Sequence, residues 1–221
     1  MHIRNIRTGL LAVAAALALA ACGSDGHTDH QNHGADAAEV SGGTSADRGT
    51  VLDQPFDKPD ITLTGTDGEP YDLVAETAGH PTLLYFGYTN CPDVCPLTMS
   101  NIAVAADSLT QEQREALRVV FITSDPERDT PESLGPWLKA QAPDFIGLTG
   151  DFEEIQAAAR SVGVHIDAPY EDDNGGIVST HGSSLLAFLP GDDKGHVLYT
   201  EDTPVETYEA DLPKIIAGET P

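Results

Sequence analysis

The stretch TLLYFGYTNCPDVCPLTMSNIAVAAD, residues 82–107, decides the fold because it joins a buried strand to a helix through a loop with two cysteines. Residues 82–86 form a continuous apolar run, which is typical of a strand buried on both faces of a sheet. Met99 and Ile102 then keep helical spacing. A second apolar run follows at 119–123, so the sequence predicts a parallel strand, helix, strand unit.

Further strands and helices are predicted on both sides of this unit. Alternating residues around the turn at 65–68 predict an N-terminal β-hairpin. Apolar residues at helical spacing predict three more helices, and short apolar runs predict three further strands. The helices begin near Thr130, Asp151 and Val205, the last with Pro213 as a residue that can break it, and the strands cover 145–148, 185–189 and 196–199. The sequence therefore predicts an α/β fold with a central mixed sheet flanked by helices.

The N-terminus indicates export. Two arginines precede an apolar stretch at 10–19, and Leu19–Cys22 ends it with small residues, as a bacterial lipobox does. We therefore expect residues 1–21 to be a lipoprotein signal peptide. Cys22 would then carry the lipid that anchors the chain on the extracytoplasmic side of the cell membrane. A simple secretory signal and an uncleaved anchor are the alternatives.

The chain is strongly acidic, with 36 Asp plus Glu against 11 Lys plus Arg in 221 residues and a formal net charge of −25. Removal of residues 1–21 takes away two arginines and no acid, so the remainder carries −27. Because phosphate binding depends on Lys and Arg, the composition excludes nucleic acid as a partner. Anionic head groups also repel such a surface, so membrane attachment is expected through the lipid alone.

Residues 22–50 are expected to form the lipidated cysteine and a flexible tether, since they contain almost no large apolar side chains. His27, His30 and His33 recur there every three residues. This pattern fits a weak metal-collecting tail or an ordinary solvated linker, and the linker is favoured because a disordered segment must become ordered to chelate. Residues 51–221 are expected to form one domain.

Cys91 and Cys95 are the two cysteines that remain once Cys22 is lipidated. In an oxidising compartment, such a close pair is a disulfide, a redox couple or a metal site. The pair lies at the start of the predicted helix, where the helix N-terminus favours thiolates. If both cysteines lie on the first turn, their spacing places the sulfurs on one side. A purely structural disulfide is disfavoured, because it closes a short loop in a domain large enough to fold without it.

Three segments resemble the Sco/SenC family of copper-binding thioredoxin-like proteins, which serve cytochrome c oxidase assembly. They are YFGYTNCPDVCP at 85–96, ITSDPERDTPE at 122–132 and the lone His181 before a late strand. The resemblance covers about residues 52–217. It implies a thioredoxin-like fold for the whole domain.

The resemblance also implies copper ligation by Cys91, Cys95 and His181. Two thiolates and an imidazole suit Cu(I), and with a further ligand they also hold Cu(II). Zinc accepts the same donor types. Many relatives carry Asp-His-Ser at the histidine, whereas this chain has Thr180-His181-Gly182. The remaining histidines of the domain are interpreted as surface or half-buried polar residues: His80, His165 and His196.

The segment from Asp125 to Asp129 follows the end of a predicted strand, where open α/β sheets place functional groups. We interpret it as a turn with a local Asp125–Arg128 pair that leads into the helix at Thr130. Asp93, between the two cysteines, either tunes their charge or faces solvent.

The predicted function is that of a copper metallochaperone for the CuA centre of cytochrome c oxidase. The alternative is a thiol-disulfide oxidoreductase, with Cys91 and Cys95 as its redox pair, that reduces the cysteines of that copper site. The CxxxC spacing differs from the CxxC of general thioredoxin-type enzymes, which favours the metal. The expected partners are the oxidase subunit with the CuA site and, through the lipid, the membrane, and the chain is expected to be a monomer.

Overall fold

The computed structural model describes residues 48–172, 175–182 and 184–221. The strands in these ranges are β1 Thr50–Asp57, β2 Thr62–Gly65, β3 Pro70–Asp72, β4 Thr82–Gly87, β5 Arg118–Thr123, β6 Ile146–Thr149, β7 Tyr170–Glu171, β8 Ile177–Val178, β9 Ser184–Phe188 and β10 Lys194–Thr200. The helices are α1 Leu73–Glu76, α2 Val94–Asp107, α3 Gln111–Ala116, α4 Pro131–Gln141, α5 Phe152–Ser161 and α6 Val205–Ile216.

Eight of these strands form one mixed sheet in the order β1-β10-β9-β4-β5-β6-β2-β3. Strands β4, β5 and β6 are parallel neighbours, and the other neighbouring pairs are antiparallel. The predicted α/β fold with a central mixed sheet is therefore confirmed. The predicted N-terminal hairpin is β2–β3, at one edge of the sheet.

Strand β4 is buried on both faces, which explains its continuous apolar sequence. Leu83 and Tyr85 belong to a core that includes residues of α2, α4 and α6. Leu84 and Phe86 belong to a second core that includes residues of α5. Because β4 and β5 are parallel, their carboxyl ends meet at one edge of the sheet, where the loops before α2 and α4 begin.

Some elements differ from the sequence prediction. Strand β1 precedes the hairpin and pairs with β10 at the opposite edge through an irregular register. Helix α3 has no buried residue to give it an apolar stripe, and a capping box between Thr110 and Gln113 stabilises its start. Helix α6 continues through Pro213, because the burial of Leu212 and Ile215 on either side of it offsets the helical hydrogen bond that proline cannot donate.

The segment before the late strand β9 is also more regular than predicted, since β7 and β8 form a short antiparallel pair within it.

Among the described residues, no helix has both the length and the apolar character needed to cross a bilayer. The predicted signal peptide, Cys22 and the three tether histidines lie outside the described residues.

Candidate metal centre

The two cysteines are free thiols where the carboxyl end of β4 leads into α2. Cys95 lies in the first turn of α2, but Cys91 precedes the helix, because Asp93 is the capping residue and its carboxylate accepts the amide hydrogen of Val94. The pair therefore does not share the first turn. The loop nevertheless brings the cysteines together: the amide of Cys95 donates to the sulfur of Cys91 over 3.4 Å, and the two thiols interact.

Burial determines the chemistry of Cys95, which is fully buried. Desolvation raises the pKa of Cys95 from 9.0 to about 12, against the opposing hydrogen bonds of the Tyr88 backbone and the Tyr85 hydroxyl. Gly87 makes this burial possible, since a Cβ at this position would lie 3.0 Å from the Cys95 sulfur. The prediction that the helix start favours a thiolate is wrong for Cys95, because the loss of hydration outweighs the helix N-terminus.

His181 is half-buried and stacks on Tyr88, with ring centroids 6.3 Å apart and planes inclined by 28°. Its Nδ1 lies 3.1 Å from the carbonyl oxygen of Gly182. Because a carbonyl oxygen only accepts, this contact requires the proton on Nδ1, and in the neutral imidazole Nε2 then has its lone pair available. The imidazole is therefore in the tautomer that a metal ligand needs at Nε2.

Tyr88 lies between the two parts of the predicted site. Its hydroxyl interacts with Cys91, and burial, together with the nearby cysteines, raises the pKa of Tyr88 to about 12. Its ring contacts His181 on the other side. In the part of the chain that the structure describes, no three His, Cys, Asp or Glu side chains are grouped closely enough to hold a metal ion. Cys91, Cys95 and His181 thus meet at Tyr88 without forming one coordination sphere.

The segment with His181 is tied to the ends of β4 and β5. The amide of Gly182 donates to the carbonyl oxygen of Phe86 over 2.8 Å, and the hydroxyl of Ser124 donates to the carbonyl oxygen of Thr180 over 2.5 Å. A Cβ at position 182 would lie 2.6 Å from a valine side chain. Glycine after the histidine therefore permits this segment to pack closely against Val164 while its amide bonds to β4.

The turn at 125–129, which we call the β5–α4 turn, contacts this segment. Arg128 pairs with the buried Asp125, which confirms the predicted local pair. Arg128 also donates to the hydroxyl of Ser179 over 3.0 Å. The ion pair thus contacts the segment that carries His181. The sequence did not predict this contact, because Ser179 lies far from Arg128 along the chain.

The same turn contacts the cysteine loop through Asp129, which is fully buried. Its carboxylate accepts the amide hydrogen of Thr89 over 2.9 Å and the hydroxyl of Thr89 over 2.5 Å. It also accepts the hydroxyl of Thr123 over 2.7 Å. Sequence reasoning interpreted this residue as part of a simple turn. The available signal was an acidic residue just after the end of a buried strand, where a carboxylate needs polar partners.

The other predicted polar residues make local contacts. Asp93 is exposed, caps α2 and lies 4.0 Å from the sulfur of Cys91. The remaining histidines of the described residues are half-buried or exposed, as predicted, and contact neighbouring polar groups: His80 with the Ala116 carbonyl, His165 with Asp167 and His196 with Asp192.

The donor set fits copper. Two thiols and an imidazole with an available Nε2 are the soft and intermediate donors that Cu(I) prefers. A metal ion that binds here displaces the thiol protons and supplies the positive charge that a buried thiolate lacks. Because burial raises the pKa of the Cys95 thiol, a metal ion at this site would have to displace the Cys95 proton, and its binding would strengthen as the pH rises.

Comparison with known protein sequences identifies relatives of this chain. A family model described as SCO1/SenC matches residues 51–217. A putative copper-binding protein of Stutzerimonas stutzeri is 35% identical over 160 residues, which cover 68% of this chain and 78% of that protein. The mitochondrial SCO1 homolog 1 of Arabidopsis thaliana is 35% identical over 131 residues, which cover 55% of this chain but only 38% of that protein.

Solved structures give the same result for the fold. Apo Sco1 from Thermus thermophilus has a TM-score of 0.64 at 32% identity, over 75% of this chain and 94% of that one. ScoI from Bradyrhizobium japonicum, solved with copper bound, has a TM-score of 0.62 at 28% identity, over 76% of this chain and 99% of that one. The predicted thioredoxin-like fold is confirmed.

Proposed function

Because this chain belongs to the SCO1/SenC family, we propose that it is a copper metallochaperone that delivers copper to the CuA centre of cytochrome c oxidase. Copper is its cargo, held by Cys91, Cys95 and His181. The observation that carries the proposal is the pair of buried free thiols beside a histidine whose Nε2 keeps its lone pair. The S. stutzeri relative is named as copper-binding, and the B. japonicum neighbour contains copper.

Copper is expected to bind first to Cys91 and Cys95 and then to His181. The thiols release their two protons as copper binds, and in this poorly hydrated site Cu(I) compensates one of the two thiolate charges, whereas Cu(II) compensates both. His181 joins them by leaving its stack on Tyr88, a contact worth about 1 kcal/mol, which a metal–imidazole bond readily replaces.

Copper delivery is expected to proceed from the exposed side of the site. Cys91 is 6% exposed and His181 is half-buried, whereas Cys95 is fully buried. A thiolate of the recipient therefore reaches the copper where His181 and Cys91 bind it. Cys95 is therefore expected to be the last of the three ligands to dissociate from the copper.

The proposal includes a location and a partner. Lipid on Cys22 anchors the chain on the extracytoplasmic side of the cell membrane, and residues 23–47 act as the tether, since Gly49 and Thr50 belong to the folded domain. The domain acts as a monomer on the oxidase subunit that carries the CuA site. Its negative charge suits a recipient with a basic rim around that site.

Transfer of copper to a purified, reduced CuA domain tests this function. Two equivalents of the reduced full chain, each loaded with one Cu(I), should transfer two copper ions to each recipient domain by metal analysis, and one-electron oxidation of that domain with ferricyanide should then produce the absorption of the CuA centre. Cys91→Ser and Cys95→Ser should abolish the transfer, while Ser108→Ala, which removes a hydroxyl at the far end of α2, should leave it unchanged. Transfer at the wild-type rate by either cysteine variant would refute the proposal.

A second function, reduction of the disulfide of the CuA site, is favoured by one observation. The amide of Cys95 points at the sulfur of Cys91, a contact that a thiolate accepts better than a thiol. In this reaction the thiolate of Cys91 attacks one target sulfur and forms a mixed disulfide. Cys95 then loses its proton and attacks Cys91, which leaves a Cys91–Cys95 disulfide and a target dithiol, so two electrons have moved.

The two functions separate in one experiment without metal. An oxidised CuA domain is mixed with the reduced chain, and mass spectrometry follows both disulfides. Stoichiometric loss of the target disulfide, matched by a new Cys91–Cys95 disulfide, would establish the reductase. If the oxidised CuA domain keeps its disulfide, while the reduced CuA domain accepts copper from the chain, the result would support the chaperone function and exclude the reductase function.

A further inference from the structure

We propose that the β5–α4 turn positions both parts of the copper site: Arg128 holds the segment of His181, and Asp129 holds the cysteine loop. The inference rests on the proposed function, because it concerns the ligands of that site. Arg128 and Asp129 are positioning residues and do not themselves bind copper.

The histidine side depends on a buried ion pair. The side chain of Asp125 is 1% exposed, so solvent screens its attraction to Arg128 only weakly. Both members of the pair hold Ser179, whose hydroxyl donates to the carboxylate over 2.8 Å and accepts from the guanidinium over 3.0 Å. A third guanidinium contact reaches the carbonyl oxygen of Ile177. Ser179 lies two residues before His181, so this anchor limits where the imidazole can go.

The cysteine side depends on one carboxylate. Asp129 accepts both the amide and the hydroxyl hydrogen of Thr89, and it is fully buried. Thr89 lies two residues before Cys91, the same separation that Ser179 has from His181. Charge-assisted hydrogen bonds of this kind are about twice as strong as neutral ones, so the loop is firmly held.

A single turn connects the two anchors. The amides of Arg128 and Asp129 both donate to the carbonyl oxygen of Asp125, over 3.2 and 2.9 Å. The segment of His181 and the cysteine loop are therefore fixed to one short piece of backbone at the end of β5. Such a connection limits the distance that the ligands must close when copper binds, which lowers the entropic cost of forming the site.

The geometry of the guanidinium is needed for this role. Its nitrogens reach Asp125, Ser179 and the Ile177 carbonyl at once, and the ammonium of a lysine has no such planar fork. Arg128→Lys keeps the charge beside Asp125 and is expected to lose the contact with Ser179.

The test uses Arg128→Lys and three further variants of the reduced full chain, each compared with the wild type. Ser179→Ala removes the histidine-side anchor and leaves the ion pair in place. Thr89→Val removes the hydroxyl contact with Asp129 and keeps the shape and the amide contact. Ser108→Ala, the control, removes a neutral hydroxyl hydrogen bond, to the Ala105 carbonyl at the far end of α2, away from the site.

Three measurements are made on each variant. Hydrogen exchange of the metal-free protein should become faster at 177–182 in Ser179→Ala and at 88–91 in Thr89→Val, while the control stays at the wild-type rate. Release of copper to a chelator should become about tenfold faster in Ser179→Ala, since a hydrogen bond to a charged group is lost. The Cu(II) absorption band should shift in the same variant, because the imidazole sits less firmly on the metal.

Unchanged exchange at both segments would overturn the proposal. Faster exchange with unchanged copper release and an unchanged spectrum would also overturn it, because the anchors would then not affect the ligands. Arg128→Lys should behave as Ser179→Ala does, and wild-type behaviour of this variant would contradict the role of the fork. Failure of the proposed function would be seen in a different variant, because Cys91→Ser would then retain copper. In that case the hydrogen-exchange rates would still show whether the β5–α4 turn holds the two segments.

Discussion

Cys95 is expected to resist alkylation in the folded protein. In a chain with Cys22→Ser and Cys91→Ser, Cys95 is the remaining thiol, and desolvation, the largest cause of its raised pKa, is still present. A thiol of pKa 9.0 is about 10% thiolate at pH 8, whereas a pKa of about 12 leaves roughly 0.01%. Because the thiolate is the reacting species, the folded protein should react about a thousandfold more slowly than an unhindered thiol.

The assay is the rate of iodoacetamide labelling, followed by mass spectrometry. The same variant in guanidinium chloride provides the unfolded reference rate. In the folded protein the rate should keep rising with each pH unit beyond pH 9, because the thiol titrates near 12. A rate within a few-fold of the unfolded reference, or a plateau near pH 9, would refute the assignment of a buried neutral thiol.

Three further expectations concern stability and the tether. Lys58→Met should lower the free energy of unfolding by about 1 kcal/mol in urea, with copper binding unchanged, because it removes the hydrogen bonds of the ammonium to Asp193 and to the Thr77 carbonyl, while the carboxylate that remains is partly exposed to water. The raised pKa of Cys95 means that the neutral thiol contributes stability below pH 9, and this contribution is lost as the pH rises toward 12. The urea midpoint should fall more steeply over that window in the wild type than in Cys95→Ala, and equal slopes would contradict this. Deletion of residues 23–47, which leaves Gly49 and strand β1 in place, should leave one high-affinity copper per chain by metal analysis, and its loss would assign the metal to the tether histidines.

The central strands and helices were predictable because their burial pattern is local. Residues 82–86 are apolar throughout because both faces of β4 are covered, and α2 keeps its apolar stripe because one side faces the core. The cysteine pair was equally visible, since its spacing and its place after a strand are properties of one short stretch. The predicted ligand residues come from the resemblance, and the structure adds the tautomer of His181 and its stack on Tyr88.

The contacts that hold the site were not predictable in the same way. Thr89 is 40 residues from Asp129, and Ser179 is 51 residues from Arg128, so their contacts depend on the strand order of the sheet. The pKa of Cys95 follows from how completely its neighbours exclude water, which a helix-start pattern cannot reveal. Strand β1 escaped prediction because its residues alternate poorly and its pairing with β10 is interrupted.

X-ray absorption at the copper edge tests the central claim most directly. The reduced full chain with Cys22→Ser, loaded with one equivalent of Cu(I), should show two sulfur neighbours and one nitrogen neighbour. His181→Ala should remove the imidazole contribution, and Cys91→Ser or Cys95→Ser should each remove a sulfur. A spectrum with only nitrogen and oxygen neighbours, or one that stays the same in the cysteine variants, would contradict the proposed site.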